Sequence, residues 1–189
     1  MKGVTFDVSA ARFILAKTAG RITDSALFGA LSGVRLRDLP SPQLPGPEWV
    51  EIEVISAGIC GSDIGNLTYA SSPAMEPFGS FPAVLGHEIL GRVSAVGARV
   101  TKVSPGQRVT MDPMISCTAR GYAADNSCPS CSMGLHSTCE RAGEEGIARL
   151  DGRPMSAGLT IGYHRDLPGG WGEKVIAHQS QVFTVDDAV

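Results

Sequence analysis

Val50, Ile52 and Val54 alternate with Glu51 and Glu53 in the stretch WVEIEV. A period of two predicts a half-buried β-strand with its apolar side chains on one face. Cys60 falls just past the end of that strand, between Gly58 and Gly61. Further on, AVLGHEILGRVSAVGARV (83–100) is mostly apolar and predicts a second strand, with His87 and Glu88 where it would begin. VTKVSPGQRVTMDP places a turn at Ser104-Pro105-Gly106 ahead of a third strand, and GGWGEKVIAHQSQVFTV predicts two short strands around a turn near Gln179. Residues 66–82 read as loop, and LPSPQLPGPEW (39–49) as a proline-rich extended connector. ARFILAKTAG (11–20) suits a strand or a short helix equally, because its periodicity does not separate the two. Many short strands and glycine turns without βαβ alternation predict a mainly β, barrel-like architecture with short helices.

Composition narrows the function classes. The 189 residues are 43% hydrophobic, enough for a real core, and 23 glycines with 12 prolines favour turns over long helices. A formal net charge of −3 with scattered basic residues gives no electrostatic case for nucleic acid or an anionic membrane. No segment approaches the roughly 20 apolar residues a membrane helix needs. Asp7, Arg12 and Lys17 interrupt any signal-peptide core, so a cytoplasmic protein with reduced thiols is expected. No internal repeat is visible. Gly170-x-Gly172 runs into strand residues and reads as a turn, so these residues hold no dinucleotide-binding fingerprint.

Two groups of residues carry chemistry. The first joins Cys60 in CGSD with His87 and Glu88 in GHE. Thiolate, imidazole and carboxylate are the donor types of catalytic zinc, which keeps three protein ligands and an open position. The second is Cys117, ten residues, then Cys128-x2-Cys131-x7-Cys139. Clustered cysteines in an irregular stretch of a reduced protein read as a structural zinc site, closed by four ligands.

GHEILGRVSAVGARV fits the pattern G-H-E-x2-G-x5-G-x2-V through Gly86, His87, Glu88, Gly91, Gly97 and Val100. This resembles the zinc signature of the medium-chain dehydrogenase/reductase family, the zinc alcohol dehydrogenases. AGICGSD, PGQRVTMDP, the cysteine lobe and GGWGEKVIAH agree with it in order, over roughly residues 34–189. The resemblance implies a GroES-like β-barrel catalytic domain over 34–189 with a zinc lobe at about 113–142, and leaves residues 1–33 as an N-terminal segment of unassigned structure. It implies that Cys60 and His87 ligate catalytic zinc and that Glu88 ligates transiently or stands behind the ligands. By the same resemblance, Ser62 would bond the substrate hydroxyl and pass its proton on, and Asp63 would brace the second nitrogen of His87. The implied partner is a small alcohol, polyol or carbonyl compound, and the implied cofactors are zinc and NAD or NADP. Relatives are commonly oligomeric, so a homo-oligomer is expected.

Three departures stand against that pattern. Gly65 occupies the position where many relatives carry a proton-relay histidine. The lobe's usual spacing is C-x2-C-x2-C-x7-C, so either Cys117 is the first ligand with TARGYAADNS inserted after it, or Asp125 replaces it at the usual spacing. Family members carry a third catalytic ligand and a Rossmann domain beyond the position matching Val189, so the chain as given is expected to be incomplete for turnover. A stand-alone zinc-binding module, a reductase or lyase variant of the family, and a disulfide-stapled secreted protein are the alternatives.

Overall fold

The computed structural model describes residues 1–29, 31–70, 78–186 and 188. Ten strands and three short α-helices are described. The strands are β1 (Lys2–Phe6), β2 (Val34–Asp38), β3 (Trp49–Ala57), β4 (Ala83–Val84), β5 (Ile89–Val96), β6 (Arg108–Met111), β7 (Arg149–Leu150), β8 (Arg153–Pro154), β9 (Lys174–His178) and β10 (Val182–Thr184). The helices are α1 (Ala10–Thr18), α2 (Gly61–Leu67) and α3 (Pro129–Ser132).

The alternation at 50–54 becomes the centre of a five-stranded antiparallel sheet ordered β10-β6-β5-β3-β9. Val50 and Ile52 are fully buried there, paired with β5 on one side and β9 on the other. They pack with Val93, Val109, Val175 and Ile176 in the main core. Each such side chain taken out of water contributes about 2 kcal/mol. A register shift between Val54 and Ser56 breaks the alternation and leaves Ile55 exposed.

A three-stranded sheet, β2-β1-β4, forms the second layer. β1 lies within the first 33 residues and pairs along its whole length with β2. The two sheets meet where Gly3 bridges Gly172 and where Val4 N–H donates to Trp171 O at 3.0 Å. Phe6, Leu67, Tyr69, Leu85 and Tyr163 fill a second core beneath that seam.

The apolar run 83–100 is two strands in different sheets. β4 pairs with β1, whereas β5 pairs with β3 and β6. Gly86 makes the break at φ +89°, and a Cβ there would lie 2.4 Å from Trp171 Cδ1. His87 and Glu88 sit in the break.

The ambiguous stretch 11–20 is resolved as helix. Ser9 caps α1 by accepting the Arg12 N–H at 3.3 Å, and Phe13 packs on Tyr69. The loop expected at 66–82 begins inside α2, while 71–77 lie outside the described residues. Around the turn near Gln179, residues Gln179–Gln181 form a 3-10 turn between β9 and β10.

Candidate metal centres

Cys60 ends the connection from β3 and opens α2, while His87 and Glu88 precede β5. One donor atom from each of the three lies within 4.8 Å of the others. Gly58 makes the approach possible: its N–H donates to Glu88 O at 2.9 Å, and a Cβ there would strike Glu88 Oε2 at 2.0 Å. Trp171 Nε1 donates to Gly58 O at 3.1 Å and pins the same turn. Cys60 and His87 are half-buried and Glu88 is exposed, so the cluster opens to solvent on one side.

Asp63 organises the space behind these donors. Its Oδ2 accepts the Cys60 N–H at 2.8 Å, and its Oδ1 accepts the Tyr163 hydroxyl at 2.8 Å. Oδ1 also stands 3.5 Å from His87 Nδ1, close enough for an ion pair but not aligned for a hydrogen bond. Burial works against the charge on Asp63, but His87, the Cys60 N–H and Tyr163 outweigh it and hold the carboxyl below its ordinary range. The same carboxylate raises His87 above the ordinary imidazole value, against the cost of burying it. Hydrogen bonding to Ser62, with a further contribution from His87, lowers the Cys60 thiol.

Ser62 Oγ is 3.4 Å from His87 Nε2 and 3.0 Å from Tyr163 Oη. Tyr163 has one hydroxyl proton and two oxygen neighbours. The carboxylate is the stronger acceptor and the better partner for that proton, while Ser62 lies within reach of Tyr163 Oη and hydrogen-bonds the Cys60 thiol. Tyr163 was not among the residues read from the sequence. No local pattern marks it, because its partners Ser62 and Asp63 lie about 100 positions earlier. Gly65 lies on α2 and contributes no side chain, so no imidazole stands there.

The second centre lies in the irregular stretch after β6. Donor atoms of Cys117, Cys128, Cys131 and Cys139 fall within 4.8 Å of one another, with Cys117, Cys128 and Cys139 buried. Backbone N–H groups point at the sulfurs: Cys117 N to Cys131 Sγ, Cys128 N to Cys117 Sγ and Cys131 N to Cys128 Sγ, each at 3.4 Å. Such N–H···S contacts suit thiolates and hence a metal. Asp125 stands exposed on the 3-10 turn Ala124–Asn126, outside this group. A cavity of about 260 Å³ between Gln43, Leu150, Arg153 and Arg165 is lined by none of the candidate ligands.

Residues 46–187 match the family described as the alcohol dehydrogenase GroES-like domain. The chain belongs to this family. L-galactonate-5-dehydrogenase of Escherichia coli is 33% identical over 115 residues, which cover 59% of this chain and 28% of that one. (R,R)-butanediol dehydrogenase of Saccharomyces cerevisiae is 30% identical over 146 residues, covering 69% and 37%. Acetophenone reductase of Geotrichum candidum, solved with NAD, superposes on all of this chain and 40% of its own with a TM-score of 0.63 at 23% identity, which speaks for the fold alone. This GroES-like domain spans about a third of the length of the curated relatives it matches. Among its described residues, no helix is long and apolar enough to cross a membrane.

Proposed function

We propose that this chain is the catalytic domain of a zinc-dependent dehydrogenase that oxidises a small alcohol or polyol, or reduces the matching carbonyl, with NAD or NADP. The observation that carries the reading is the convergence of Cys60, His87 and Glu88 within 4.8 Å, with the Ser62 hydroxyl beside His87 Nε2. The thiolate, imidazole and carboxylate donors fit zinc, and Gly58 leaves room for the carboxylate to reach them. Cys60 and His87 would hold the ion with Glu88 in reach, and a bound zinc supplies Lewis-acid polarisation of the substrate oxygen.

The chain's own residues then have definite tasks. Asp63 fixes the His87 ring through its charge at Nδ1 and leaves Nε2 for the cluster. Ser62 Oγ, 3.4 Å from His87 Nε2, takes the proton of the incoming hydroxyl as it hands its own to Tyr163 Oη at 3.0 Å, and the Tyr163 proton moves to the Asp63 carboxylate at 2.8 Å. The sequence carries no glycine-rich phosphate loop. We place the enzyme in the cytoplasm, where its five cysteines stay reduced as the metal sites require. Self-association into a homo-oligomer is part of the same reading.

The test is turnover by the whole protein against a panel of alcohols and polyols with NAD⁺ and NADP⁺, read as reduced nicotinamide. Reduction of cofactor with at least one substrate class, lost in Cys60→Ala and lowered at least tenfold in Ser62→Ala, is the expected result. Full zinc occupancy without turnover, unchanged in Cys60→Ala, would establish a zinc-binding module instead.

A further inference from the structure

Arg120 is wholly buried. Its Nη1 donates to Glu144 O at 3.2 Å, and its Nη2 donates to Gly158 O and, at 3.5 Å, to Ala142 O. Its Nε has no hydrogen-bond partner. Among the described residues no carboxylate pairs with it. Carbonyl dipoles alone do not compensate a buried guanidinium, which demands an anion. Ala142, whose carbonyl it binds, donates its own N–H to Cys139 O at 3.1 Å, and the Cys139 and Cys117 sulfurs lie 3.8 Å apart, so the guanidinium sits beside the cysteine cluster. The thiols of Cys139 and Cys117 and the Tyr122 hydroxyl are the groups there whose negative charge would act on it. His164, which also senses its charge, is held neutral by burial.

The position of Arg120 in the chain matters equally. It belongs to TARGYAADNS, the stretch between Cys117 and Cys128. That stretch folds back on its own first cysteine, Arg120 N–H donating to Ser116 O and Tyr122 N–H to Cys117 O, each at 3.0 Å. Arg120 is thereby held at the edge of the cysteine cluster by the same segment that alters the cysteine spacing.

Four thiolates around one divalent ion keep a net negative charge in a dry site. We propose that Arg120 is the counter-charge of this four-thiolate centre and sets how firmly the lobe holds its ion. Each charge removes the desolvation cost of the other, and the carbonyls of Ala142, Glu144 and Gly158 hold the guanidinium in place. The proposal rests on the lobe being a metal site.

The experiment compares wild type, Arg120→Lys, Arg120→Gln and Arg120→Met in two measurements. One is the rate of zinc release to a chromogenic chelator. The other is the sulfur-to-metal charge-transfer band of cobalt-loaded protein, which responds to charge beside the sulfurs. The neutral variants are expected to release zinc roughly tenfold faster or more, with the band moved to lower energy. Arg120→Lys keeps the charge but not the fork, and is expected within about threefold of wild type with its band in place. Recovery of folded, zinc-loaded Arg120→Lys but of neither neutral variant would also support the proposal. Equal acceleration in all three variants with an unmoved band would overturn it, as would loss of the folded protein in Arg120→Lys alone. Wild type without lobe zinc would overturn the metal reading beneath it, an outcome distinct from zinc held equally well by every variant.

Discussion

Tyr163 Oη donates to Asp63 Oδ1 at 2.8 Å, joining two residues 100 positions apart. Asp63 is fully buried and spends its other oxygen on the Cys60 N–H. Tyr163→Phe removes a hydrogen bond to a buried carboxylate and is expected to cost about 2 kcal/mol in urea denaturation. A loss below about 0.5 kcal/mol would mean that Asp63 finds another donor.

The Cys60 thiol is half-buried and lowered by its hydrogen bonding to Ser62 and His87. In metal-free protein, its iodoacetamide reaction should therefore show a midpoint below the ordinary thiol value of about 8.5. Ser62→Ala removes the side-chain part of the leading cause and should move that midpoint upward. An unmoved midpoint would assign the effect to the Ser62 backbone N–H and His87.

Lobe zinc should depend on Cys117 and not on Asp125, because only Cys117 lies within the sulfur cluster. Cys117→Ala and Cys131→Ser are expected to lose about one zinc per chain by elemental analysis while the β-sheet circular dichroism persists. Asp125→Ala should keep full occupancy. Zinc lost from Asp125→Ala and kept in Cys117→Ala would reverse the assignment.

His164 is buried between the Ser156 carbonyl, 2.9 Å from Nε2, and the Asp166 N–H, 3.1 Å from Nδ1. Burial pushes its pKa down to about 4, below the ordinary 6.5. The unfolded chain then binds more protons than the folded one between those values. The contribution of neutral His164 is complete above pH 6.5 and lost as pH falls toward 4, on the order of 3 kcal/mol in total. Denaturation midpoints measured in chelator between pH 7 and 4.5 should fall less steeply in His164→Asn than in wild type. Parallel slopes would rule out this histidine as the source.

Parts of this architecture were legible because they rest on local rules. The Glu51–Val54 alternation made a central strand, and Ser104-Pro105-Gly106 made the turn, with Gly106 at φ +91°. The candidate ligands other than Asp125 gather in two clusters because spaced cysteines and a His-Glu pair are visible as types before any fold is known. α2 escaped the reading, since seven residues with Gly61 and Gly65 carry no helical periodicity, and tertiary packing of Asn66 and Leu67 sets the helix instead. The split of 83–96 escaped for a similar reason: an apolar run does not say with which sheet it pairs. Tyr163 and Arg120 act through partners 100 and 38 residues away, which no local pattern encodes.

Cys60 and His87 sit at one end of a single antiparallel pair. Cys60 follows β3, His87 comes just before β5, and the Gly58 N–H bond to Glu88 O at 2.9 Å ties the two ends together. An ion gripped by both would act as a clasp on that end, while the break at Gly86 joins the clasp to the smaller sheet through β4. Metal loading is thus written into how often this end opens, and the Gly58 amide would register it as slowed hydrogen exchange.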